Sequence, residues 1–103
     1  MTNIRDQFME ELGKAEDKGI GMTMVGNFPG FTFAVSFSQD NMSWHPDGTG
    51  TGIEFEISAL NGTVELDFDT LTAEADMDGF TRVWEFRNGD QTVFIFSFLE
   101  DPR

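Results

Sequence analysis

The apolar period of this chain changes once, at Gly19, and that change restricts the fold more than any other feature. Before it, Ile4, Phe8, Leu12 and Ala15 recur at i, i+4, i+8 and i+11, with Met9 beside them. Asp6, Glu10, Glu11, Lys14 and Asp17 lie mainly away from this stripe. The spacing predicts a helix over 3–18, with Asn3 as N-cap, Asp6 in the capping-box position and Gly19 as the stop. Such a helix has one face to bury.

From Ile20 onward the period is two. Ile20, Met22 and Met24 alternate with smaller residues; after a turn at Asn27-Phe28-Pro29-Gly30, Phe31, Phe33, Val35 and Phe37 alternate with Thr32, Ala34, Ser36 and Ser38. A polar, glycine-rich stretch from Gln39 to Gly52 interrupts the pattern and reads as a long mobile loop. Ile53, Phe55, Ile57 and Ala59 then point one way, and Val64, Leu66 and Phe68 return on the same face about Asn61-Gly62, which fits a type I′ hairpin. A two-residue loop there pairs Ile57 with Leu66 and Phe55 with Phe68.

Beyond Thr70 the alternation slips by one, to Leu71, Ala73, Ala75 and Met77, which predicts a bulge or break near Asp69 and Thr70 before Asp78-Gly79 turns the chain. A last hairpin runs over 81–87 and 91–99 about Asn88-Gly89. Its second strand is apolar on both sides, Phe94, Phe96 and Phe98 against Val93 and Ile95, as in a central or doubly covered strand. The expected fold is α+β, one N-terminal helix packed on a curved antiparallel β-meander of five to seven strands. At 103 residues the chain has room for one domain over 1–103.

Charge narrows the function classes. Nineteen acids against six bases give a net charge of -13, and no Lys or Arg occurs between Lys18 and Arg82. Direct binding to DNA, RNA or an anionic membrane is electrostatically opposed. The absence of cysteine excludes disulfides, thiolate catalysis and cysteine-type zinc sites. The polar start at Met1-Thr2-Asn3 and the lack of any ~20-residue apolar run argue against secretion and membrane insertion and fit a cytoplasmic protein.

The two-residue loop sets Glu56 opposite Asp67, Glu54 opposite Asp69 and Ser58 opposite Glu65. Like charges across a ladder each cost a few tenths to about 1 kcal/mol. A sheet face kept acidic for solubility accounts for this; so does a rail of carboxylates, Glu54, Glu56, Glu65, Asp67 and Asp69, extended by Glu74, Asp76 and Asp78, that receives a basic partner. Neighbours across strands stand ~5 Å apart and alternate residues ~6.7 Å, close to successive phosphates of a nucleic acid. Small acidic inhibitors of nucleic-acid enzymes, among them some phage-encoded antagonists of restriction and CRISPR systems, share this composition; the chain carries no family motif.

The remaining motifs are weaker. Glu74-x-Asp76-x-Asp78-Gly79 with Glu85 approaches a calcium-binding loop but begins with Glu and is followed at once by Asn88-Gly89, where a helix belongs. His45 has no nucleophile or orienting group nearby in sequence, and Gly48, Gly50 and Gly52 lack the lysine and helix of a phosphate cradle. Paired carboxylates can hydrolyse glycosides, but the chain is small for a sugar cleft and has no tyrosine. Trp44, in the polar stretch, is either an interface anchor or a residue folded onto the core. The expectation is a non-enzymatic inhibitor or adaptor without cofactor, with an acidic chaperone or immunity-type partner of a basic client and a weak calcium-binding module as alternatives. An exposed edge strand leaves a homodimer open.

Overall fold

The computed structural model describes residues 3–103; Met1 and Thr2, at the polar start, lie outside the described residues. Helix α1 spans Ile4–Lys18, and Asn3 caps it by accepting a hydrogen bond from the Asp6 amide at 2.8 Å. Gly19 ends it in the left-handed region at φ 67°, as its lack of a Cβ allows.

Among the described residues eight strands follow: β1 Met22–Phe28, β2 Phe31–Phe37, β3 Met42–Pro46, β4 Gly52–Ile57, β5 Gly62–Asp67, β6 Thr72–Asp78, β7 Thr81–Asn88 and β8 Gln91–Phe98. The fold is α+β and every pairing is antiparallel, in a five-stranded sheet ordered β2-β1-β8-β7-β6 and a three-stranded sheet ordered β3-β4-β5. The doubly apolar strand β8 is the centre of the larger sheet.

Three local expectations are corrected. The stretch from Gln39 to Gly52 is not one long loop, because Met42 and Trp44 bring an alternating strand, β3, onto β4 and raise the count above seven. The β4–β5 connection is not a two-residue turn. Ser58–Leu60 form a 3-10 turn, closed by the Asn61 amide on the Ser58 carbonyl at 3.2 Å, with Asn61 alone left-handed at φ 50°. Leu60 thereby packs against the core, and the ladder closes at Ile57 opposite Gly62. The last hairpin turns about Gly89 and Asp90, since Asn88 pairs with Gln91, and a bulge lies between Phe86 and Arg87.

Phe8 holds the layers together. Its ring lies 6.2 Å from Phe55 of the smaller sheet and 4.9 to 5.9 Å from Trp84, Phe86 and Phe96 of the larger one. Phe55 also stacks directly on Phe96 at 5.2 Å. The helix and the smaller sheet thus share one face of the larger sheet, and fully burying such aromatic side chains contributes roughly 1.5–3 kcal/mol each.

A charged group lies inside this core. Glu11 is 3% exposed and accepts Arg82 Nε at 2.8 Å, Arg82 Nη2 at 3.1 Å and Trp84 Nε1 at 3.0 Å, while Arg82 is 5% exposed. This corrects the placing of Glu11 away from the apolar stripe.

Candidate functional site: an acidic sheet face

Strands β3, β4 and β5 turn Ile53, Phe55, Ile57 and Leu66 inward, so the alternate residues face solvent. One row across this face reads His45, Glu54, Glu65, and the next reads Ser43, Glu56, Thr63. The register therefore differs from expectation: Glu54 meets Glu65 rather than Asp69, Glu56 meets Thr63 rather than Asp67, and Asp67 lies opposite Gly52. Partners move by an even number of residues, so the same side chains stay outside. On this face one like-charge pair remains among the described residues, Glu54 with Glu65.

His45 answers part of that repulsion from the other side, its Nε2 lying 2.7 Å from Glu54 Oε2. Among the described residues Glu56 and Glu65 find no side-chain hydrogen bond or ion pair, whereas the cations are engaged elsewhere. Arg5 donates to the Gly52 carbonyl, Lys18 to that of Pro102, Lys14 pairs with Glu10, Arg82 with Glu11, Arg87 with Glu85 and Arg103 with Asp101. Beside Glu56 a shallow groove of about 570 Å³ opens, lined by Asp40, Ser43, Glu56, Ser58, Asn61 and Thr63. Nothing in the periodicity of the chain pointed to Asp40, which the 3-10 turn Gln39–Asn41 carries to the groove.

No protein family, curated protein or solved structure matches this chain.

The structure divides the remaining acids. Asp67 and Asp69 belong to the turn out of β5, where Asp67 accepts the Asp69 amide at 2.9 Å and the Thr70 hydroxyl at 3.0 Å. Glu74, Asp76 and Asp78 face outward on β6, in the other sheet, with Glu74 opposite Glu85. Glu85 accepts Arg87 and Thr92, which hold its carboxyl below the ordinary carboxylate range. Residues 74–85 thus form a hairpin rather than a calcium loop, and among the described residues no three acids or histidines converge as a metal-binding group would.

Asp47 also serves the backbone. It accepts the Thr49 hydroxyl at 2.7 Å and the amides of Thr49 and Gly52, and its carboxyl is held below the usual range, first by the Thr49 bond. Trp44 sits on the opposite face of β3 from His45, half-buried across from Phe55, with its buried Nε1 unpartnered. The ring of Trp44 packs against the core cluster. No helix among the described residues is long and apolar enough to cross a membrane.

Proposed function

We propose that this chain is a non-catalytic binding protein, an inhibitor or adaptor, that sets the acidic face of β3, β4 and β5 against a basic surface of a nucleic-acid-binding protein in place of phosphates. The observation that carries the reading is Glu54 directly across from Glu65, with Glu56 next along the strand, on a face that holds no Lys or Arg. Two carboxylates in register cost folding up to about 1 kcal/mol, a cost that docking of a basic partner would offset. Residues opposite one another on such a sheet have Cβ atoms ~5 Å apart, and alternate residues along a strand are ~6.7 Å apart.

The groove beside Glu56 adds depth to that face. With Asp40 and Glu56 at its walls it accepts an extended Lys or Arg side chain, whose ammonium or guanidinium replaces the missing counter-charge. Long-range attraction then speeds encounter, and the association weakens as salt screens charges more than ~8 Å apart.

The test is retention of nucleic-acid-binding proteins on the immobilised chain, followed by elution. The reading expects release by duplex DNA and by rising salt, and no retention on Glu56→Lys/Glu65→Lys. Retention that persists at about 0.5 M salt and on the double variant rejects it.

A further inference from the structure

Among the described residues the two sheets leave four edges, and one is unlike the rest. Edge β6 carries Glu74, Asp76 and Asp78, edge β5 carries Glu65 and Asp67, and the short edge β3 ends at Pro46, all devices that deter pairing. Edge β2, Phe-Thr-Phe-Ala-Val-Ser-Phe over Phe31–Phe37, has neither a charged residue nor a proline. Its ring of Phe31 is 60% exposed and stacks at 5.3 Å on Phe28.

The backbone of β2 is aligned for a further strand. Phe28 and Phe31 close the two-residue turn and so exchange hydrogen bonds, and by alternation Phe33, Val35 and Phe37 also bond to β1. Thr32, Ala34 and Ser36 sit at the non-bonded pairs and direct their amides and carbonyls outward. Side chains approach closely at such pairs, as the 3.0 Å contact of the Thr23 and Ser36 hydroxyls and the 3.1 Å bond of Thr32 to Asn27 attest.

The order of residues on this edge is self-complementary about Ala34. A two-fold axis there sets Ala34 against Ala34, Thr32 against Ser36 and Phe33 against Val35, and brings the exposed Phe31 to Phe37. Small polar residues meet on the outer face and apolar residues on the inner one. We propose that β2 is a strand-addition surface for a second copy of this chain, the two β2 strands pairing antiparallel about Ala34 to join the five-stranded sheets of two protomers into one.

Charge opposes a like partner least at this edge. Two chains of net charge -13 repel, and β2 is where close approach brings no carboxylate onto the pairing surface. Salt screens the remaining repulsion, so the dimer tightens as ionic strength rises. That dependence is opposite to the one expected for docking of the acidic face, and the two proposals fail separately.

Sedimentation equilibrium of the full chain, run up to roughly 0.5 mM at low and high salt, tests this. The expected result is a monomer–dimer equilibrium, with a dimer of twice 11.6 kDa, that strengthens with salt. Ala34→Pro removes the central amides, and Ala34→Lys sets two ammonium groups face to face; each weakens the dimer roughly 10-fold or more while the circular dichroism stays native. Ala34→Lys also lowers the net charge, so a dimer governed by overall charge strengthens instead. In hydrogen exchange the Thr32 and Ser36 amides are protected in the wild-type dimer and exchange freely in Ala34→Lys. A chain that stays monomeric at every concentration and salt, or a dimer that survives both substitutions, overturns the proposal.

Discussion

Glu11 is the residue whose removal the structure prices most sharply. Glu11→Ala leaves the Arg82 guanidinium, 5% exposed, without its counter-charge and takes away the carboxylate that accepts Trp84 Nε1. Breaking one side of a buried ion pair costs about 3–5 kcal/mol, a large part of the roughly 5–15 kcal/mol that stabilises a domain of this size. In urea, with a slope of about 1–3 kcal/mol per molar, the midpoint falls by roughly 2 M without a change in slope. Glu11→Gln, which retains an acceptor for Trp84 and loses the charge, falls between wild type and Glu11→Ala. Glu11→Leu/Arg82→Met removes both charges and recovers part of the loss, Trp84 Nε1 still lacking its acceptor, and shows a coupling above about 2 kcal/mol in the double-mutant cycle with Glu11→Leu and Arg82→Met alone. A loss under about 1 kcal/mol in Glu11→Ala, or additive single and double substitutions, refutes the view that the pair is held dry between helix and sheet.

Two further outcomes test the turns. Gly52→Ala destabilises by about 1–3 kcal/mol in the same melts, since a Cβ there overlaps the Asp47 carboxylate and lies 2.9 Å from the Leu66 carbonyl; a neutral effect contradicts the close approach of β3, β4 and β5 at that point. Asp101 is held at about 2 by Arg103, so its contribution to the fold is complete above its unfolded value near 3.8 and is lost as pH falls through about 2. An NMR titration should find this low value in the wild type and a rise toward the unfolded value in Arg103→Ala; equal values in the two proteins refute the assignment.

How much of this was legible in the sequence depends on the range of the interaction. The helix, its two caps and most strands follow from local periodicity, and so does the choice of which side chains face outward, because faces survive an even slip in register. The register of β4 on β5 was not legible. Asn61-Gly62 is a strong two-residue turn signal, yet Leu60 gains burial only if Ser58–Leu60 coil into a 3-10 turn, and that gain comes from the core rather than from neighbours in sequence. Glu11 was within reach, for Phe8, Glu11, Leu12 and Ala15 are spaced as one helical face; its charge argued for solvent, and only Arg82 and Trp84, 71 and 73 residues away, reverse the argument. The division of the acids into two sheets depends on the order β2-β1-β8-β7-β6, in which β1 joins β8, a long-range pairing that alternation cannot show. Asp40 was missed because a 3-10 turn before β3, which has no alternating pattern, carries it to the groove.

The acidic face of β4 and β5 is the central claim, and a charge-matched comparison tests it most directly. Glu56→Lys/Glu65→Lys and Glu74→Lys/Asp76→Lys each bring the net charge from -13 to -9, the first on the proposed face and the second on β6. The measurement is the affinity of each for a Lys/Arg-rich oligopeptide at physiological salt, by calorimetry. The account predicts a loss of ~10-fold or more for the first variant and a much smaller loss for the second. It also predicts that the first variant melts no lower than wild type, because an ammonium in place of the Glu65 carboxylate turns the repulsive cross-strand pair with Glu54 into an attractive one. Equal losses in the two variants would contradict it, since the peptide would then be reading net charge and not the three-stranded face.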